Sequence, residues 1–388
     1  MQKAVDDQAV RELREPAAPR RVLFLAQMPP PIHGVTTMSR RVRSMIEAMP
    51  GYEVEHLWLG GARSLHDVGK ASVRKVTGFG WLLSRLAARA VTGKRYDFTY
   101  QTLAPHGDAA LRDGLLIALS KRLTKRALVH LHTQGLEEIL AGGSRRQRLL
   151  RSMIAGTELI AISGHVADMA RRSGLFSRVH DLPNLVIDPG EPGCAPNARL
   201  QCGYLGNYDE RKGVLRFIDC IAAIKAAGIA VDARIAGGPT KHLSADDVRA
   251  YATRRGVGDV VKVLGFVSEA EKYELFRRLD LFIYPTDHDL APLVVLEAMA
   301  LGAVPIVFDT GGLREMVGPR FADHVIAEKR DAAAFTSDIA ALAAGYAGDP
   351  VRLSAAKTAA RQRYETTYTP EIYEHRLAAI LDDARGAS

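Results

Sequence analysis

Five apolar runs in the second half of the chain constrain its fold most: LQCGYLG, VDARIAGG, VVKVLGF, LDLFIYPT and VPIVFDT. Segments with helical spacing follow them at 213–227, 244–254, 268–278, 292–301 and 312–317. A strand that is apolar almost throughout must be covered on both faces, which is the condition of a parallel sheet. Strands alternating with helices supply the crossovers such a sheet needs. The first half shows the same pattern in RVLFLAQ, EVEHLWL, DFTYQT, ALVHLHT and ELIAIS, with helical stretches such as LRDGLLIALSKRL and RQRLLRSMI. Between the halves lies PGEPGCAPNA, rich in Pro and Gly as interdomain links are. The chain therefore predicts an α/β protein of two Rossmann-like, doubly wound parallel-sheet domains facing a cleft. The expected divisions are a flexible tail over 1–20, a first domain over 21–186, a linker over 187–198 and a second domain over 199–368. The closing helix in TPEIYEHRLAAILDDAR, within 369–388, is expected to cross back to the first domain.

Composition narrows the class. With 388 residues, 47% hydrophobic and 25% charged, the chain has the make-up of a soluble globular protein of two domains. Its three cysteines, Cys194, Cys202 and Cys220, have neither metal-ligand spacing nor the even count of a disulfide framework, so a reducing, cytoplasmic setting is expected. The first twenty residues are charged and lack the apolar core of a signal peptide. The longest apolar stretch, Ala291 to Phe308, is broken by Glu297, Gly302 and Pro305, which predicts a helix and a strand rather than a membrane span. Residues 1–190 hold 28 Lys and Arg against 17 Asp and Glu, a net of +11, whereas the remainder is net −3. Basic clusters at 73–95, 120–126 and 144–151 read individually as solvated helix faces. With Trp81, Leu82, Leu83 and Leu86 beside Arg85 and Arg89, they also suit an anionic membrane surface, here the inner face of the plasma membrane. No aromatic-basic motif or helix-turn-helix points to nucleic acid.

The segment TDHDLAPLVVLEAMALG places Asp289 and Glu297 eight residues apart in an apolar run. Pro292 suits a first helical turn, and the amides there, at Leu293 and Val294, favour an anion such as a phosphate. Glu297, inside the helix, needs donors, and vicinal hydroxyls of a ligand supply two. The structural alternative makes Asp289 a cap and Glu297 a satisfied surface charge. In YLGNYDERKG, Arg211 and Lys212 stand at a strand-to-helix turn, where a lysine offers a point charge to phosphate oxygens. In PPPIHG, Gly34 admits a ligand close to the backbone after the first strand, with His33 beside it. The absence of G-x-G-x-x-G disfavours nicotinamide or flavin chemistry, so no cofactor is expected. His130 and His132 end a strand on one face without a third metal ligand, which suits hydrogen bonding at a cleft edge, or for His130 a place in the core. AGGP, LGF and DTGGLRE each put glycine after a strand, together forming a bed for a nucleotide.

In order and spacing, GNYDERKG, AGGP, LGFVS, DLAPLVVLEAMALG and DTGGLRE resemble the family 4 retaining glycosyltransferases of the GT-B fold. The resemblance implies a nucleotide-diphosphate-sugar donor bound by the second domain and a saccharide or lipid-linked acceptor, with no metal. It places Glu297 on the ribose hydroxyls, Asp289 on the donor sugar and Lys212 on the diphosphate. It puts Gly34 near the phosphates, the backbone of Gly265 and Phe266 at the nucleobase, and His132 between sugar and acceptor, with His130 and His33 on the acceptor side. The chain departs from the pattern in three ways. Asp289 replaces a glutamate, Leu290 and Ala291 replace Gly-Phe, and Asn207 stands where an arginine accompanies the lysine, which removes one positive charge that Arg211 either restores or leaves missing. The rival readings are a nucleotide-sugar epimerase or phosphorylase on the same scaffold, and a non-catalytic nucleotide-sugar-binding subunit.

Overall fold

The computed structural model describes residues 18–30, 32–59, 73–193, 198–327 and 331–382, with only the backbone at 73–76. The expected tail over 1–17, Pro31 of the first loop, Cys194 with linker residues 194–197, and 383–388 lie outside the described residues. By their contacts the residues divide into two units. One holds Met1–Leu131, Ala141–Leu159 and Leu175–Arg178; the other holds His132–Leu140, Ile160–Gly174 and Val179–Ser388.

The first sheet has six strands: β1 (Arg20–Leu25), β2 (Tyr52–His56), β3 (Tyr96–Leu103), β4 (Thr124–Leu131), β5 (Glu158–Ala161) and β6 (Arg178–Asp181). Their spatial order is β2-β1-β3-β4-β5-β6, with β1 parallel to β2 and β3, and β3 parallel to β4. The accompanying helices are α1 (Gly34–Ala48), α2 (Val73–Val91), α3 (Gly107–Ser120), α4 (Leu136–Ala141), α5 (Arg145–Ile154) and α6 (Gly164–Ser173). Residues 22–25 of the first strand are completely buried, as a strand covered on both faces requires.

The second sheet contains β7 (Leu200–Leu205), β8 (Val231–Ala236), β9 (Val261–Gly265), β10 (Leu281–Tyr284), β11 (Val304–Phe308) and β12 (Val325–Ile326). Its helices are α7 (Val214–Ala226), α8 (Ala245–Arg254), α9 (Glu269–Arg278), α10 (Leu293–Ala300), α11 (Leu313–Val317), α12 (Ala332–Ala347), α13 (Pro350–Glu365) and α14 (Pro370–Asp382). The closing helix α14, expected to cross back, groups by its contacts with this second unit. Spatial order is β12-β11-β10-β7-β8-β9. Read from the other edge, the six strands run 3-2-1-4-5-6, so the winding reverses between β7 and β10. In such sheets the crevice outside the strand C-termini at the reversal is where ligands bind. The core beneath it includes Tyr204, Phe217, Phe282 and Tyr284, all 2% exposed or less, and each fully buried side chain of this size contributes about 1.5–3 kcal/mol.

Candidate functional site

The loops after β7 and β10 flank the reversal and are tied together. After β7, Asp209 caps a 3-10 turn at Glu210–Lys212 by accepting from the Arg211 amide at 2.8 Å. Gly213 then turns with φ +87°, and a Cβ there would stand 2.2 Å from the Pro285 carbonyl oxygen. Only glycine lets the two loops approach this closely. Across the gap the Asp287 amide donates to the Arg211 carbonyl at 3.0 Å, and the Thr286 hydroxyl oxygen lies 3.3 Å from the same carbonyl oxygen.

This approach brings Lys212 and Asp289 together. Lys212 Nζ donates to both Asp289 carboxylate oxygens, at 2.8 and 3.1 Å. The Tyr284 hydroxyl at 2.8 Å and the Thr286 hydroxyl at 3.0 Å donate to Oδ2. Burial alone would raise the Asp289 pKa, but Lys212 and the two hydroxyls outweigh it and hold the carboxyl below the ordinary aspartate value. Asp289 is no helix cap, because Pro292 stands at the N-cap of α10 with no side-chain hydrogen bond. The helix starts one residue later than the sequence suggests, at Leu293, with Leu293 and Val294 half-buried in its first turn.

Glu297 is neither a surface charge nor open to a ligand on all sides. It is 7% exposed, and Lys272 Nζ from α9 donates to it at 2.7 Å. Sequence reasoning missed Lys272 as the partner of Glu297, although a carboxylate inside an apolar helix demands a cation from somewhere. His288 was missed as well: Arg211 Nη2 meets its Nδ1 at 2.5 Å. Leu290 is buried, and its carbonyl accepts from the Gly312 amide at 2.7 Å; the Ala291 carbonyl accepts from Asn184 at 2.8 Å. Both residues thereby fix the backbone entering α10.

Two of the three glycine turns, AGGP and LGF, are linked with the turn after β7. Gly206 N donates to the Ala236 carbonyl at 3.0 Å, Gly237 N to that of Gly265 at 2.9 Å, and Tyr208 N to that of Gly238 at 2.8 Å. Gly237, at φ +144°, has room for no Cβ, which would lie 1.8 Å from the Gly206 oxygen. Phe266 is 74% exposed with its ring against the Gly238 backbone, and Asn207, next to Gly206 in the chain, is exposed.

The other expected site residues stand around the start of α1 and at the end of β4. His33 precedes α1, its backbone amide and carbonyl both bonded to the Thr36 hydroxyl, and burial lowers its pKa. Gly34 opens α1 with free space where a side chain would be. His132 is half-buried just past β4. His130 is fully enclosed, its Nδ1 2.6 Å from the Tyr100 hydroxyl, as the core reading would place it. Among the described residues no group of three or more His, Cys, Asp or Glu is placed to hold a metal ion.

Comparisons with known proteins agree with this layout. Residues 199–344 match the family described as "Glycosyl transferases group 1". The chain is 25% identical over 372 residues to D-inositol 3-phosphate glycosyltransferase 1 of Catenulispora acidiphila, covering 89% of this chain and 84% of that protein. It is 28% identical over 244 residues to the putative colanic acid biosynthesis glycosyltransferase WcaL of Salmonella typhimurium, covering 60% of this chain and 53% of that one. Among solved structures, sucrose-phosphate synthase from Thermosynechococcus elongatus superposes with a TM-score of 0.69 at 16% identity, over 95% of this chain and 100% of the other. Anabaena HepE in complex with UDP-glucose gives 0.65 at 16% identity, over 94% and 99%. Residues 199–344, which carry Lys212 and Asp289 at the strand reversal, are thus similar to the glycosyl transferases group 1, and the chain as a whole shares the GT-B fold of its structural neighbours.

Proposed function

We propose that the protein moves a sugar from a nucleoside-diphosphate sugar to a hydroxyl acceptor, with retention at the anomeric carbon and without a metal. The observation that carries the reading is the Lys212–Asp289 pair at the strand reversal, beside the start of α10. Lys212 neutralises charge as it develops on the leaving diphosphate, helped by the amides of Leu293 and Val294 at the positive end of the helix. Asp289 accepts hydrogen bonds from donor-sugar hydroxyls, and Glu297, steadied by Lys272, accepts from the ribose. Gly265 and Phe266 border the nucleobase. In the transfer the bond from the anomeric carbon to the phosphate oxygen breaks as the acceptor oxygen bonds the same face. The acceptor proton passes to the departing phosphate, and His132 lies on the sugar and acceptor side.

The acceptor proposed is a lipid-linked or growing surface saccharide, met at the inner face of the plasma membrane. Relatives named for colanic acid and lipopolysaccharide core assembly support that class. So does α2, which has no acidic residue and exposes Trp81, stacked under Arg85 at 4.7 Å, and Val91. Among the described residues no helix is long and apolar enough to cross a membrane, so contact would be peripheral. The decisive experiment is a thermal-shift screen of nucleotide sugars on the wild type and Glu297→Ala, followed by the anomeric configuration of the product. A ligand that binds only the folded state raises its stability by mass action. A shift that survives Glu297→Ala unchanged removes the ribose role, and conversion of the donor without acceptor would indicate an epimerase instead.

A further inference from the structure

Three consecutive residues after β10 each hold one cation from the segment after β7. Asp287 takes Arg216 at 2.6 Å, Asp289 takes Lys212 at 2.8 Å, and between them His288 takes Arg211 at 2.5 Å. The first two are ion pairs in which a carboxylate cancels the cation. The third differs in kind. A guanidinium has donors only, so His288 Nδ1 must be the acceptor, and the neutral ring carries its proton on Nε2. Burial, and then Arg211, lowers the His288 pKa; Lys212 acts in the same sense, while Asp289 and Asp287 oppose it. Holding an exposed arginine for stability alone would favour a carboxylate, the stronger partner. A neutral acceptor instead orients the guanidinium and leaves its charge whole for a ligand. The chain places this uncancelled cation one residue from Lys212, in the same turn at the strand reversal, while Asn207 at the start of that loop is uncharged.

We propose that His288 is a positioning residue that holds Arg211 beside Lys212 as a second cation for the diphosphate, supplying from position 211 the charge that Asn207 lacks. The proposal rests on the nucleotide-sugar reading above. It is tested by calorimetric titration of UDP, GDP and ADP, and of the matching nucleosides, into the wild type, Arg211→Ala, His288→Ala, His288→Asn and the Arg211→Ala/His288→Ala double variant. Melting curves confirm that each is folded. Arg211→Ala and His288→Ala should each weaken the best diphosphate by about tenfold, the range of one charge-assisted contact, and leave its nucleoside unaffected. The double variant should bind no more weakly than Arg211→Ala, because His288 acts only through Arg211. His288→Asn, whose amide oxygen accepts where Nδ1 did, should regain most of the affinity. In turnover kcat/KM for the donor falls, and kcat falls with it because the second cation also meets charge developing on the leaving diphosphate. Equal weakening of nucleoside and diphosphate, additive losses, or a His288→Ala variant that matches the wild type overturns the proposal while leaving the nucleotide-sugar reading standing. A folded wild type that binds none of the three diphosphates overturns both.

Discussion

Replacing Asp289 with asparagine tests the centre of the site, because stability and ligand binding should move in different directions. The carboxylate collects Lys212 Nζ at 2.8 and 3.1 Å, the Tyr284 hydroxyl at 2.8 Å and the Thr286 hydroxyl at 3.0 Å, with its side chain 20% exposed. Asparagine keeps one acceptor oxygen and turns an NH2 toward groups that were donating. The buried Tyr284 hydroxyl can rotate to accept from that NH2, and water reaches part of Lys212, so only a fraction of the charged hydrogen bonding is lost. At about 1.5–3 kcal/mol for a bond to a charged group, the net destabilisation at neutral pH is about 2–3 kcal/mol. For a unit of this size that lowers the melting temperature by about 5–10 °C. The folded-state pKa of Asp289 is depressed, so its contribution is complete above the unfolded value and disappears as pH falls through the lower folded one. The gap between wild type and variant should therefore stay constant from about pH 8 to pH 5 and close only below about pH 4. Binding should respond in the opposite sense. With its carboxylate partner gone, Lys212 presents its full charge, so affinity for a nucleoside diphosphate holds or rises while sugar transfer falls. Urea melts across that pH range, paired with UDP titrations, measure both. A variant as stable as the wild type at pH 7, or a gap that shrinks between pH 8 and 5, refutes the reasoning.

Lys272→Met takes the cation from a carboxylate only 7% exposed and should cost about 2–4 kcal/mol in urea melts, whereas adding Glu297→Leu should recover most of that loss. Gly213→Ala forces a side chain into φ +87° and against the Pro285 oxygen, so the two loops must part; stability should fall by about 2 kcal/mol or more, and diphosphate binding should weaken with it. His324, 6% exposed and bonded to the Tyr346 hydroxyl at 2.7 Å, has its pKa pulled by burial to about 4. Because the unfolded chain takes up that proton first, wild-type stability should drop by about 3 kcal/mol between pH 6.5 and 4. His324→Asn should flatten that part of the profile in the same melts, and an unchanged slope would assign it to other groups.

Strands covered on both faces, such as β1 and β10, are legible because their environment demands a run with no polar side, and the edge strands β2 and β9 are legible because they still carry apolar runs, EVEHLWL and VVKVLGF. β6, with the sequence RVHD, and the two-residue β12 lie at sheet edges where that demand lapses, so nothing in their residues marks them. The helices α12 and α13 are similarly hidden, because alanine-rich stretches such as SAAKTAAR carry little contrast between an apolar and a polar face. At the site the same division applies to charges. The eight-residue spacing of Asp289 and Glu297 announces two carboxylates that need partners, because the run around them is too apolar to be solvated. Which partners arrive is decided by approaches across 77 residues for Lys212 and 25 for Lys272, and no local pattern records either. His288 shows the limit most clearly. Between two aspartates it reads as an incidental histidine of a polar loop, since an imidazole can donate, accept or carry charge. Once a guanidinium stands at Nδ1 those options reduce to one tautomer and one role, that of neutral acceptor. A fold that sets carboxylates on two of its cations and an imidazole on the third leaves one charge uncancelled, and an anionic ligand is the group that would benefit from it.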